Sequence, residues 1–411
     1  MLIGAQQIKL TNPRVRIIEI DILRGIAVLG MTLWTFCTPT MGIYSAGTID
    51  LVVGRVITFV DIENTTHLLF SFLFGLGLVV QTRLNEGGKA FGVIPLRRLL
   101  ALFIIGIVTG VFLDRTDILH IFAMFGFILL LFVNLGTKVV LTLALLLIGA
   151  SSLGKDILTR SMSYASYFGA GAYHSLTAFK ITSSDYSDLV RMRAQELLQQ
   201  YAHPHLYIQN LDILTMFLFG LYAVRRGLFQ DIPANIGSIH KIMWFSLAAY
   251  LVGIGWVFAL QHPYVSDSTG SDWLFAIYSP FSLNGRSEVV QMLVRPYTIQ
   301  ALSLFYICFI VLLLQSNILK RICLPLANVG RLALSNYLLL CFIGTTLFFG
   351  YGFGLYGKFG IAHGEGLAIL VCGCQIVISS WWLRRFQFGP VEWLWRSITY
   401  WKPQPFRVPV V

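Results

Sequence analysis

Charge is scarce in this chain. Only 12 % of its 411 residues are Asp, Glu, Lys or Arg, against about 25 % in soluble domains. Dividing the length by about 150 suggests two or three domains. The 30 basic and 19 acidic side chains are too few to cover that many water-facing surfaces. Cysteine is sparse too. Cys37, Cys308, Cys323, Cys341, Cys372 and Cys374 all lie in or beside apolar runs. Their spacing offers neither a disulfide framework nor a zinc site, and they read as small buried hydrophobes. A Walker motif, a dinucleotide fingerprint and a nucleophile elbow are absent, as is any fixed-period repeat.

Apolar residues are what the chain has instead. They make up 56 % of it, aromatics 14 %, and mean hydropathy is +0.73. So many aromatics belong to a chain that packs, which excludes disorder, and the surplus apolar surface must face lipid. The expected fold class is an all-α polytopic membrane protein, about ten transmembrane helices in one bundle. A spanning helix needs about 20 mostly apolar residues, and ten stretches qualify: 18–38, 58–82, 96–114, 117–134, 136–153, 207–225, 240–260, 297–315, 327–350 and 365–384. Arg295 and Pro296 interrupt the start of the eighth. The run Ile22–Cys37 exceeds a signal-peptide core and no small-residue cleavage site follows it, so it reads as a retained first span.

The net charge of +11 then reports topology. In a soluble protein it would suggest nucleic acid. Here the basic residues sit between apolar runs, where they set orientation, and no nucleic-acid partner is expected. With the N-terminus inside and the spans alternating, 20 of the 30 basic residues face the cytoplasm. Five of the other ten lie in the long 154–206 connection. The expectation is N-in and C-in, with a five-span half at 1–153 and a second at 207–411. The extracytoplasmic connection 154–206 between them carries a short amphipathic helix over Leu189–Gln200.

Ionisable groups near a membrane core are costly, so each needs a reason. Asp21 and Arg24 lie three apart in the first span and share a face. They form either a structural ion pair or an arginine held out for a phosphate or carboxylate. Asp117 and His120 repeat that spacing at the outer start of the fourth span. They are either a helix cap beside an interfacial histidine or a carboxylate orienting a general base. His67, with Asp61 and Glu63 before it, is a lone outer histidine that fits a structural or an acid–base role. Asn336 either bonds to a neighbouring helix or lines a polar tunnel, with Tyr337 beside it. His203-Pro-His205 has no partner cluster near it in sequence, and no metal is expected.

Three stretches together are familiar. Arg16-Ile-Ile-Glu-Ile-Asp-Ile-Leu-Arg-Gly-Ile-Ala-Val-Leu-Gly30 resembles the opening of the YeiB family of bacterial inner-membrane proteins. Leu69–Gly77, Arg97-Arg98 and Asp117–Gly126 are similar to its middle signatures. The C-terminal third is the most specific: Gly330-Arg-Leu-Ala-Leu-Ser-Asn-Tyr337, Gly354-Leu-Tyr-Gly357 and Phe388-Gly-Pro-Val-Glu-Trp-Leu-Trp-Arg396. That family looks related to transmembrane acyltransferases of the heparan-α-glucosaminide N-acetyltransferase kind. The resemblance implies an acyl-CoA, with acetyl-CoA the first choice, as cytoplasmic donor and a small-molecule or glycan acceptor across the membrane. This chain departs from the family at Thr35, where Asn is frequent, and at Thr109, where His is frequent.

The expected enzyme therefore binds donor phosphates through Arg24, Arg97, Arg98, Arg331 and Arg396, with Asp21, Glu392 and Trp393 also expected to bind substrate. His120, oriented by Asp117, deprotonates an acceptor hydroxyl or amine, with His67 as the other candidate. Asn336 or Tyr337 stabilises the oxyanion. The partners expected are membrane lipid and the acceptor, with a homo-oligomer left open. The expected location is the bacterial cytoplasmic membrane. A small-metabolite transporter or exporter and a non-catalytic envelope interaction protein are the alternatives.

Overall fold

The structure is a computed structural model, which describes residues 17–37, 48–85, 92–113, 117–161, 185–202, 207–208, 210–265 and 286–408. The His203–His205 pair and the turn at Asp114 lie outside those residues.

The described residues form helices α1 (Ile18–Cys37), α2 (Thr48–Val60), α3 (Ile62–Asn85), α4 (Val93–Phe112), α5 (Leu119–Phe132), α6 (Thr137–Ser161), α7 (Tyr186–Ala202), α8 (Leu211–Arg226), α9 (Ile232–Val265), α10 (Arg286–Leu313), α11 (Asn317–Arg331), α12 (Ala333–Phe348), α13 (Ile361–Trp382) and α14 (Pro390–Tyr400). No strand occurs among them, only a single bridge between Phe386 and Arg407. This is a polytopic α-helical membrane protein. Each of the ten expected spans falls on a helix, and they differ in kind. Seven helices, α1, α3, α4, α6, α9, α10 and α13, have the length and apolarity to cross a membrane unaided. Helices α11 and α12 meet that test only together, across a bend of 76°, which makes them one broken span or a re-entrant loop.

The remaining two segments are the shorter α5 and α8. At 1.5 Å per residue, α5 with 14 residues and α8 with 16 reach only about 21 and 24 Å, short of a hydrocarbon core about 30 Å thick. Both are wrapped by other helices. From Ile213 to Leu221 every α8 residue is buried, and α8 packs on α3, α6 and α5. A helix enclosed by protein need not match the lipid thickness. Phe217 of α8 lies 5.2 Å from Phe74 and 5.7 Å from Phe122, ring to ring.

The rim is apolar and exposed, as a lipid-facing surface requires. Phe245 and Val252 of α9, Leu146 of α6, Ile104 of α4 and Ile369 of α13 all point outward. Pro296 lies inside α10 without ending it, a tolerance typical of membrane helices. All six cysteines are free thiols; Cys37, Cys308 and Cys341 are buried, whereas Cys374 is exposed.

Candidate functional site

At one end of the bundle the start of α1, the end of α3, the start of α4, the α11–α12 break and α14 meet around a cavity of ≈ 670 Å³. That volume suits a cofactor-sized ligand. Arg24, Arg98, Arg331 and Arg396 line it with Asp21 and Glu392, so six of the residues expected to bind substrate come together. Four guanidiniums face two carboxyls, and both carboxyls are engaged. Asp21 Oδ1 accepts from Arg24 Nη1 at 3.2 Å. Glu392 Oε1 accepts from the Ser335 N–H at 2.9 Å, and Oε2 from the Ser335 hydroxyl.

Two glycines of the signature motifs explain the arginine placement. A Cβ on Gly25 would strike the Leu326 carbonyl, and one on Gly330 would strike the Asp21 carbonyl. Helices α1 and α11 therefore cross with backbones in contact, and the adjacent Arg24 and Arg331 enter one space. Helix α14 closes the same end. It starts with Pro390 at its first turn, and its Trp395 donates Nε1–H to the Arg98 carbonyl at 2.8 Å. The Arg98 guanidinium lies 4.5 Å from the Trp395 ring. Desolvation raises the Glu392 pKa above the usual carboxylate range, opposed by its bonds to Ser335.

Two of the residues expected to bind substrate stand elsewhere. Arg97 is exposed and lies over Trp401 at 5.4 Å. Trp393 donates to the Gln404 carbonyl at 2.8 Å and packs on Phe406. Neither lines the cavity. Consecutive helix positions point about 100° apart, which sends Arg97 and Arg98, or Glu392 and Trp393, to different surroundings.

Beyond the cavity wall is a buried polar cluster. Leu102 and Leu119 line the cavity, while their chain neighbours Phe103 and His120 face Tyr201 of α7. His120 and Asp117 are each 1 % exposed. His120 Nδ1 stands 3.5 Å from Asp117 Oδ2, and neither ring nitrogen has a hydrogen-bond partner. Both carboxylate oxygens of Asp117 accept hydrogen bonds. Its Oδ2 accepts from the Leu119 N–H at 3.2 Å, at the start of α5, and its Oδ1 accepts from the Tyr337 hydroxyl at 3.0 Å. Gly106 lets α4 reach this pair, since a Cβ there would strike the His120 amide. Thr109 is buried on α4 between Gly106 and Gly110, and its hydroxyl bonds back to the Ile105 carbonyl at 2.8 Å.

Asn336 takes the first of its two readings. Its amide donates to Ser379 Oγ at 2.9 Å and to the Val329 carbonyl at 3.3 Å, and its backbone carbonyl accepts from Gln375. His67 is half-buried on α3, one turn beyond the cavity residue Phe70, and is not part of the cavity lining. Among the described residues no group of His, Cys, Asp and Glu could hold a metal. Tyr201 escaped the sequence reading because an amphipathic helix does not say which face docks where.

Residues 16–190 match the catalytic family model of heparan-alpha-glucosaminide N-acetyltransferase, and residues 223–402 match a family described as a protein of unknown function, DUF418. YeiB of Escherichia coli K12 is 47 % identical over 79 residues, 19 % of this chain and 20 % of that one. Together these matches support a YeiB-like family related to that acetyltransferase. YxaH of Bacillus subtilis 168 is 29 % identical to this YeiB-like chain over 425 residues, 96 % of each. A 39.9 kDa protein of Bacillus acidopullulyticus is 27 % identical over 401 residues, 94 % of each. No solved structure matches. The first match likens the half that carries Asp21, Arg24, Arg98, Asp117 and His120 to an acyltransferase-type family.

Proposed function

We propose that the protein is an integral membrane acyltransferase. It moves an acyl group, acetyl as the first choice, from cytoplasmic acyl-CoA to a hydroxyl or amine on the extracytoplasmic side of a bacterial inner membrane. The observation that carries this reading is an arginine-lined cavity, to which the acetyltransferase-like half brings Arg24 and Arg98, lying across a two-leucine wall from that half's buried Asp–His pair. Arg24, Arg98, Arg331 and Arg396 suit the donor's phosphates, since a guanidinium fork matches phosphate oxygens. The acylated arm reaches inward past Leu102 and Leu119. Asp117 lies 3.5 Å away on the Nδ1 side of the imidazole, which leaves Nε2 to take the acceptor's proton. The new bond forms at the acyl carbon, the carbon–sulfur bond breaks, and the departing thiolate recovers the proton from His120. The related family's name makes an amino sugar the first acceptor to try.

In proteoliposomes supplied with acetyl-CoA, wild-type protein is expected to acylate glucosamine, and His120→Ala to lose that activity. Wild-type rates in His120→Ala would sink the general-base assignment. Passage of a solute without covalent change would mark a transporter instead.

A further inference from the structure

An oxyanion needs a donor, and the two groups expected to serve are engaged. The Asn336 amide is held by Val329 and Ser379, and the Tyr337 hydroxyl donates to Asp117. One other hydroxyl reaches this place. The Tyr201 ring lies 5.7 Å from the His120 ring and 6.3 Å from that of Phe103, and its hydroxyl is buried without a hydrogen-bond partner. A buried polar group left unpaired costs about 1–3 kcal/mol, so an O–H in that state beside a buried imidazole suggests a ligand group still to come.

Helix α7 holds Tyr201 in position. Phe112 ends α4, and its carbonyl has no partner within that helix. It accepts from the Tyr186 hydroxyl at 2.7 Å and from Arg193 Nη1 at 3.3 Å. The Arg193 guanidinium also lies 5.0 Å from the Phe349 ring. Two turns further along α7, Tyr201 is directed at His120. Burial, followed by Tyr207 and Asp117, pushes the phenol above its ordinary pKa, so it stays protonated and able to donate.

We propose that the Tyr201 hydroxyl donates to the oxyanion of the tetrahedral intermediate, an inference that rests on the acyltransferase reading. As the acceptor attacks, its proton passes to His120 Nε2 and the carbonyl electron pair moves onto oxygen, where the Tyr201 O–H meets it. When that pair returns, the carbon–sulfur bond breaks and the thiolate takes the proton from the imidazolium. The products are acylated acceptor and free thiol.

The test measures thiol release from acetyl-CoA with glucosamine as probe acceptor, for wild type, His120→Ala, Tyr201→Phe and Tyr201→Ala in proteoliposomes. Phe keeps the ring packing on His120 and Phe103 and removes only the donor. Loss of one oxyanion donor lowers kcat by about 100–1000-fold, so Tyr201→Phe is expected to show that fall with KM for acetyl-CoA and thermal midpoint unchanged. A Tyr201→Phe enzyme with wild-type kcat, beside an inactive His120→Ala, overturns this inference alone and makes Tyr201 a packing residue. Silent wild type removes the acyltransferase reading and this inference with it, whereas an active His120→Ala removes the general-base assignment and the oxyanion geometry inferred around it.

Discussion

At the residue scale, small and large side chains divide the labour. Gly25 and Gly330 bring two backbones into contact so that Arg24 and Arg331 share a cavity, and Gly106 does the same for His120. Replacing Gly330 with Ala forces α11 away from α1, because the added methyl would overlap the Asp21 carbonyl. Overpacking of this kind costs about 1–3 kcal/mol. A lower thermal midpoint in detergent and weaker acetyl-CoA binding are expected. Gly237→Ala is the control. No atom lies within 4 Å of a Cβ there, and the helix gains about 1 kcal/mol from the better helix former. The Asp117–His120 spacing was legible because three residues along a helix share a face. That Asp117 accepts at once from the Leu119 N–H and from the Tyr337 hydroxyl was not legible, because one contact comes from local backbone geometry and the other from a distant helix.

At the element scale, the bent α11–α12 pair is the instructive case. The run 327–350 reads as one apolar crossing, yet the chain turns 76° between Arg331 and Ala333. The turn exposes the first amides of α12, and Glu392 from α14 accepts one of them at Ser335. The signal for this bend lies some sixty residues away, so local periodicity could not report it. Glu392 also makes stability depend on pH. Its pKa is raised in the folded protein, mainly by desolvation. Between the unfolded and the folded value, the folded state holds the extra proton, so stability is full below the ordinary carboxylate range and falls as pH rises through the raised value. Glu392→Gln cannot ionise and can keep both contacts with Ser335. Its thermal midpoint is expected to stay flat over that window while the wild-type midpoint declines; parallel curves would contradict the assignment.

At the scale of the whole molecule, the two polar regions lie on either side of Leu102 and Leu119, and the electrostatics of the cavity is the property most open to measurement. Arg396 is exposed at the cavity rim, with its guanidinium 4.6 Å from the Phe388 ring, so its removal leaves the buried core intact. A hydrogen bond to a charged group contributes about 1.5–3 kcal/mol, and about 1.4 kcal/mol is tenfold in affinity. Arg396→Gln should therefore weaken acetyl-CoA binding about tenfold or more, as read by calorimetry in nanodiscs. The wild-type advantage should shrink between about 0.1 M and about 1 M salt, where the screening length drops from about 10 Å to about 3 Å. An unchanged affinity at low salt would remove Arg396 from the donor site.

The number of apolar segments, their helical character and the clustering of basic residues were determined by the sequence alone, because hydrophobic length and charge patterning are local properties that a membrane reads directly. Which of those segments are enclosed short helices, which arginines share a cavity, and which tyrosine meets His120 were decided only by tertiary structure. Each depends on backbones crossing at particular glycines and on helices distant in sequence docking face to face. The same scarcity of charge that marks the chain as a membrane protein leaves so few polar side chains inside it that their meeting places become the site.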